Sequence, residues 1–394
     1  MFVENLLQYC KRYHKIYCYG AGRYGREVCV YLEENGIKLD GFIVSSGQIS
    51  KVLNTEVLRF SDMKIEKDVG IIVAVGVKYA DEIIKAISER KVRDYFLVND
   101  ELLLEIEDVT KFSSIYPNNQ FVNVLLYHRV ADIADDFWNI SVSSKHFEEQ
   151  MRWLSDNFPI ISFEDDFEKV SEPSFAITFD DGYADNYDIA LPILKKYNIP
   201  ATFFISSGLL GGKCFWWDEL YAVLSDNDKD IIRKYHAKLK KMDVLQRNMF
   251  LKELNKRNTK DEYIGLGKGM SIEQIKQLAC LENIIIGAHT VNHPSLACLS
   301  LDEQIDEIKG SIVELESLLQ KKIEVFSYPH GDFNIETLEI LKDLGIKKAA
   351  TVAGGLIGKG DCLLVPRNIV LDQDINSFKR FVNRCFCVYS EVRD

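Results

Sequence analysis

Short apolar β-rich runs alternate with amphipathic helical stretches along almost the whole 394-residue chain. Alternation of that kind builds parallel sheets covered by helices, which leaves few architectures open. The pattern comes in two blocks. In the first, strands are expected at Lys15–Tyr19, Leu39–Val44, Val69–Val75 and Tyr95–Val98, with helices at Arg26–Asn35, ended by Gly36, and at Asp81–Arg90. These elements predict a doubly wound parallel sheet over residues 1–110. The stretch Lys111–Gln120, with Ser, Pro and Asn, reads as a linker. The second block opens at Phe121 with FVNVLLYH and continues through Phe175–Phe179, Thr202–Ile205, Ile284–Ile286, Glu324–Ser327, Lys348–Val352 and Leu363–Val365. That many strands, with helices between them, predict a closed or distorted (β/α) barrel over 121–394. A segment at about 215–268, richest in Lys, Asp, Glu and Leu between 226 and 258, reads as a helical insertion on the barrel surface. The fold class is α/β throughout.

Composition removes several functions. A net charge of −12 opposes binding to nucleic acid or to an anionic membrane, since phosphate contacts need clustered Lys and Arg. The first residues, MFVENLLQYCKRYHKIY, hold neither an apolar h-region nor a small-residue cleavage site, and no run reaches the roughly 18 apolar residues of a membrane-spanning helix. Nine scattered cysteines suit reduced thiols better than a disulfide framework, and Cys385 and Cys387 form only C-x-C, so a zinc-thiolate site is not expected. The expectation is a cytoplasmic enzyme without a membrane span, its oligomeric state open.

Four strand ends carry candidate chemistry. Ile177-Thr178-Phe179-Asp180-Asp181-Gly182 ends a β run in two adjacent carboxylates, where catalytic groups of a barrel project. Two neighbouring carboxylates cannot both titrate normally, so one calls for a metal or a cation; a turn or helix cap is the plain alternative. Gly287-Ala288-His289-Thr290-Val291-Asn292-His293 places two histidines four apart, on one face if the segment forms a helical turn. One carboxylate and two imidazoles make a facial ligand set with positions left open for water and substrate. Phe326-Ser327-Tyr328-Pro329-His330-Gly331 offers a tight loop able to aim a backbone N–H into a cleft, and Val365-Pro366-Arg367-Asn368 supplies a late arginine. The first of these reads more simply as an ordinary loop, the second equally well as a surface ion pair. Phe215-Trp216-Trp217-Asp218 could stack on a sugar, although anchoring the insertion is the simpler role.

Together and in this order, TFDDG, H-T-x-x-H, YPxG, a late P-R and ATFFISSGLL at 201–210 resemble the polysaccharide deacetylases, the NodB-homology group of carbohydrate esterase family four. The resemblance spans roughly 121–394. It implies a distorted barrel of the NodB-homology type, a divalent metal with zinc foremost, and removal of acetyl groups from N-acetylated sugars. On that resemblance Asp181, His289 and His293 hold the metal, which polarises the acetamide carbonyl and acidifies water. Asp180 is the general base, the Tyr328 backbone N–H stabilises the oxyanion, and Arg367 orients Asp180 and keeps it charged. The family's late Leu-x-His acid has no counterpart here, because no histidine follows His330. The strand Leu125-Leu126-Tyr127-His128 is similar instead to a subgroup whose acid histidine precedes the Asp pair, which makes His128 the acid and His330 its rival.

In the first block, Tyr19-Gly20-Ala21-Gly22-Arg23-Tyr24-Gly25 sets G-x-G-x-x-G between strand and helix, so Gly20, Gly22 and Gly25 are candidate cofactor contacts. The next strand ends in Ser45 and Ser46 where NAD binding asks for an acid, and Asp40 lies at the wrong end. The segment resembles the Rossmann-like domains attached to sugar acyltransferases. The expected function is metal-dependent de-N-acetylation of a free, nucleotide-linked or lipid-linked amino sugar in envelope or capsule synthesis. The alternatives are a catalytically idle glycan- or nucleotide-sugar-binding protein and, more remotely, a nicotinamide oxidoreductase.

Overall fold

A computed structural model describes residues 2–45, 51–52, 55–63, 68–92, 94–109, 122–225, 228–256, 267–352 and 362–387. The expected linker Lys111–Gln120, Phe121 and Ser46 lie outside the described residues. The chain divides into two compact units, residues 1–117 with 379–394, and residues 118–378. The alternation in the sequence keeps 379–394 with the barrel, because the division falls inside one helix, Ile375–Cys387, where no loop signals it.

The first unit runs α1 (Phe2–Cys10), β1 (Lys15–Tyr19), α2 (Arg23–Glu34), β2 (Gly41–Val44), β3 (Lys51–Val52), β4 (Thr55–Arg59), β5 (Val69–Val73), α3 (Val77–Glu89), β6 (Phe96–Leu97) and α4 (Asp100–Val109). Its sheet has the order β3-β4-β2-β1-β5-β6 and is parallel except for β3 against β4. Side chains alternate across each strand. Cys18 and Ile72 therefore join the core of α1, α2 and α4, while Tyr19, Ile71 and Val73 join that of α3 on the other face.

The second unit contains β7 (Val122–Tyr127), the short pair β8 (Arg129–Val130) and β9 (Ser141–Val142), α5 (Ser144–Asn157), β10 (Ser174–Phe179), α6 (Leu191–Lys196), β11 (Ala201–Ile205), α7 (Trp216–Leu224), α8 (Lys229–Leu239), α9 (Val244–Lys256) and α10 (Ile272–Ala279). It continues with β12 (Ile284–Ala288), α11 (Leu301–Leu319), β13 (Val325–Ser327), α12 (Ile335–Asp343), β14 (Lys348–Ala350), β15 (Asn368–Ile369) and the start of α13 (Ile375–Cys387). The seven-stranded sheet has the order β14-β13-β12-β11-β10-β7-β15, with every pairing parallel. It closes on itself: Val365 bridges to Ala350 of β14, and three residues later Asn368 pairs with Leu125 of β7. The expected final strand, Leu363–Val365, is thus displaced to Asn368–Ile369, since Pro366 has no N–H for a continuous ladder.

Closure defines an inside. Val122, Val124, Ala176, Phe204, Val325, Ala350 and Val365 point into it and pack with Phe163. Because side chains repeat every second residue, the same inward rows continue as Thr178 and Asp180 after Ala176, as Ser327 after Val325, and as Arg367 after Val365. The barrel interior is apolar at one end and polar at the end where the strands finish. The helical insertion comprises α7, α8 and α9 and forms its own core around Phe215, Trp216, Trp217 and Leu220.

Candidate metal centre

Asp180 ends the inward row of β10. Arg367, wholly buried, meets it with both arms of its guanidinium: Nη1 donates to Oδ1 at 2.7 Å and Nη2 to Oδ2 at 2.6 Å. Nη2 also donates to the Ser327 hydroxyl at 2.8 Å, which in turn donates to Asp180 Oδ2 at 3.1 Å. Arg367 Nε donates to the Thr351 carbonyl at 2.9 Å, so the fork is held at its root as well. Burial alone would push the Asp180 carboxyl up, but the Arg367 guanidinium more than offsets it and holds the group at about 2.

Asp181 leaves the row. Its φ of 75° is left-handed, a conformation that costs a residue with a Cβ roughly 1–2 kcal/mol, and it turns the side chain away from Arg367 toward β12. The turn is secured by the Ser206 N–H on the Asp181 carbonyl at 3.2 Å and the Gly182 N–H on the Asp180 carbonyl at 3.0 Å. There Asp181 Oδ1 lies 3.5 Å from His289 Nε2 and 3.3 Å from His293 Nε2. That oxygen is buried and accepts no hydrogen bond from the described residues.

The two histidines do not share a helical turn as their spacing suggests. His289 is the first residue past β12, and Thr290 and His293 both take left-handed φ, 63° and 54°. The loop curls because the Thr290 hydroxyl accepts the His293 N–H at 3.0 Å, a side-chain bond that substitutes for a helix. His289 Nδ1 lies 2.8 Å from the Ser327 carbonyl, which can only accept, so Nδ1 carries the proton and Nε2 keeps a lone pair toward Asp181. Burial would lower the His289 pKa, but the two carboxylates beside it turn the net shift upward. Burial and the neighbouring His330 ring push His293 well down, leaving it a neutral ligand.

One carboxylate oxygen and two imidazole nitrogens therefore lie within 4.8 Å of one another, all buried. An unpartnered buried carboxylate oxygen between two Nε2 atoms is costly unless a cation joins them. The donor set suits zinc or a related divalent ion.

His128 follows β7, which pairs with β10 so that Tyr127 stands beside Phe179 and the Asp180 N–H donates to the Tyr127 carbonyl at 3.0 Å. It thereby comes next to Asp180. The first strand of the barrel occupies the slot between the Asp180 strand and the Arg367 segment. Tyr328 requires a correction. Its N–H completes the β13–β14 ladder by donating to the Ala350 carbonyl at 3.1 Å, and its hydroxyl donates to the Leu363 carbonyl at 2.8 Å. It is the last residue of that ladder, so the oxyanion role expected of its N–H is not open to it. His330, two residues on and left-handed at φ 60°, packs against the His293 ring at 4.5 Å. Burial pushes its imidazole down to about 2.

Sequence reasoning missed the residues that grip the 289–293 loop. Glu307 of α11 accepts the Val291 and Asn292 N–H groups at 3.0 and 2.8 Å and the Asn292 amide at 2.7 Å. Arg247 of α9 donates to the Asn292 and His293 carbonyls at 2.7 and 3.4 Å. Trp217 lies against the His293 ring at 4.7 Å and donates to Tyr183, which donates to Asp218. Both faces of Trp216 are taken, by His236 at 5.0 Å and the Arg247 guanidinium at 4.8 Å, so it anchors the insertion and offers no sugar platform. Trp217 and Asp218 carried a signal in the Phe215–Asp218 run, and Ser327 as a member of the motif around Tyr328.

In the first unit, the glycine loop is explained by backbone packing at two positions. Gly20, at φ 113°, would drive a Cβ to 2.3 Å from the Ala74 carbonyl, and a Cβ on Gly25 would fall 1.8 Å from the Gly20 carbonyl. Gly22 caps α2 with open space around it.

Residues 167–349, most of the second unit, match the polysaccharide deacetylase family model. YxkH, a Bacillus subtilis (strain 168) protein assigned to the polysaccharide deacetylases, is 27% identical over 241 residues, 59% of this chain and 64% of its own length. The poly-β-1,6-N-acetyl-D-glucosamine N-deacetylase of Escherichia coli (strain K12) is 25% identical over 286 residues, covering 69% of this chain and 39% of the relative. The chain thus spans less than two thirds of either relative. The solved structure of IcaB from Ammonifex degensii covers 68% of this chain and 97% of its own, at 20% identity and a TM-score of 0.48.

Proposed function

We propose that the protein hydrolyses the acetamido group of an N-acetylated amino sugar, free, nucleotide-linked or lipid-linked, during envelope polysaccharide, capsule or glycolipid synthesis. The observation that carries this reading is the pairing of an unpartnered Asp181 oxygen between two imidazoles with an arginine-clamped Asp180 beside it. A ligand set alone suits a binding protein; a separate carboxylate held ionised next to it suits a hydrolase. A divalent ion, zinc first, held by Asp181, His289 and His293 supplies Lewis acidity to the acetamide carbonyl and to water.

The chain's own groups divide the proton work. Asp180, held ionised by Arg367, takes the proton from the attacking water. His128 donates one to the sugar nitrogen as the carbon–nitrogen bond breaks, releasing acetate and the free amine. His330 is the weaker candidate, since burial pushes its imidazole down to about 2 and leaves it neutral, without an imidazolium proton to give. Relatives in Escherichia coli and Staphylococcus aureus are named poly-β-1,6-N-acetyl-D-glucosamine N-deacetylases, which supports N-acetylglucosamine as the sugar class.

An acetate-release screen over N-acetylated sugars, nucleotide-sugars and lipid-linked sugars, with and without added Zn²⁺, tests this reading. Metal-dependent acetate release from at least one class is expected. Tight sugar binding without acetate release would favour the idle glycan-binding alternative.

A further inference from the structure

Behind the 289–293 loop, between that loop and the helical insertion, lies a cavity of about 520 Å³. Its walls include Lys213, Trp216, Glu219, Arg247, Lys252 and Asn292, three cations against one acid in a chain whose net charge is −12. Arg247 is 1% exposed. Its two terminal nitrogens reach the Asn292 and His293 carbonyls and the Glu307 carboxylate partly offsets its burial, but Nε has no hydrogen-bond partner among the described residues. The Trp216 indole N–H on the same wall is likewise buried and without an acceptor among the described residues.

A buried guanidinium with a free donor is expensive to maintain unless an acceptor completes it. Two exposed lysines at the mouth add long-range attraction for the same sign of partner. The cavity is too large for a bare inorganic ion and falls in the range of sites for small organic ligands. We propose that this cavity binds the oxyanion of an acidic, saccharide-sized molecule, a carboxylate or a phosphate, with Arg247 Nε and the Trp216 N–H as inner donors and Lys213 and Lys252 at the rim. Through the Arg247 bonds to the Asn292 and His293 carbonyls, the occupant touches the far side of the metal-ligand loop. The site is separate from the metal centre and does not depend on the deacetylase reading.

Isothermal titration of the full-length, metal-loaded protein with glucose 6-phosphate, glucuronate, inorganic phosphate and glucose tests the proposal. At least one charged sugar is expected to bind about tenfold or more tighter than both glucose and inorganic phosphate. The relative strength of the two charged sugars then distinguishes a phosphate from a carboxylate ligand. The Lys213→Gln, Lys252→Gln protein should keep its metal and lose about tenfold in that affinity. Binding unchanged in the double variant would place the anion on the metal and overturn the assignment. Glucose or inorganic phosphate binding as tightly as the charged sugars, or no binding by any of the four, would overturn it as well.

Discussion

Asp180 and Asp181 are adjacent and equally buried, at 2% and 3% exposure, yet the barrel mouth treats them oppositely. On the Asp180 side every need is met within the chain: a bidentate arginine, a serine hydroxyl and a carbonyl that fixes the arginine in turn. On the Asp181 side an oxygen lies between two imidazoles and accepts no hydrogen bond from the described residues. A satisfied carboxylate is a fixed, always-ionised base; an unsatisfied one beside two nitrogens is a ligand set awaiting a cation. The difference arises from one backbone event, the switch of Asp181 into the left-handed region, which sends neighbouring side chains to different walls. Ser327 ties the two sides together, its hydroxyl on Asp180 and its carbonyl on His289.

The comparison can be broken most severely on the ligand side. The His289→Ala, His293→Ala protein should lose its divalent ion entirely and release no acetate, as read by elemental analysis and an acetate assay. On the proton-transfer side, His128→Ala should keep the metal and lose about 10²–10⁴-fold in turnover, less for substrates with better leaving groups. Full activity in that variant with a dead His330→Ala would transfer the acid role to the loop histidine. Arg367→Met strands a buried carboxylate and should cost about 3–5 kcal/mol in chemical denaturation. The same pair gives a pH signature. Although burial opposes it, Asp180 sits at about 2 against an ordinary 3.8, so the unfolded chain binds the proton more tightly than the folded one. Its contribution, on the order of 2 kcal/mol, is complete above about pH 4 and is lost as the pH falls through 2. Arg367→Met should lack that acid limb. The smallest effect belongs to Ser327→Ala, about 1 kcal/mol, with metal content retained because the carbonyl that orients His289 remains.

How much of this was legible in the sequence follows from which interactions are local. The strand before Asp180, the histidine pair and the late arginine are short-range patterns, and β7 and β10 to β14 stand close to where periodicity predicts them. The barrel's closing strand was misplaced because Pro366 splits its pairing between two neighbours, an event visible only once both are in place. The same holds for Tyr328, whose N–H looked free beside a Pro–Gly turn and is taken by a strand that follows twenty residues later. Glu307 and Arg247 lie in helices of ordinary composition, and nothing in their own neighbourhoods marks them as holding the 289–293 loop. The glycine loop of the first unit serves two readings at once. Gly20 and Gly25 fit a cofactor motif, and carbonyls within 2.3 and 1.8 Å of a would-be Cβ require glycine there for backbone packing as well.

The division of labour between the two carboxylates is tested most directly by measuring metal content and acetate release side by side for Asp180→Asn and Asp181→Asn. Asp180→Asn should retain the ion, because the amide fills the same space beside Arg367, and should lose about 10²–10⁴-fold in turnover. Asp181→Asn should lose the ion, because a neutral amide oxygen is a poor ligand for a hard dication. Loss of the metal from Asp180→Asn, or full metal content and activity in Asp181→Asn, would contradict the account.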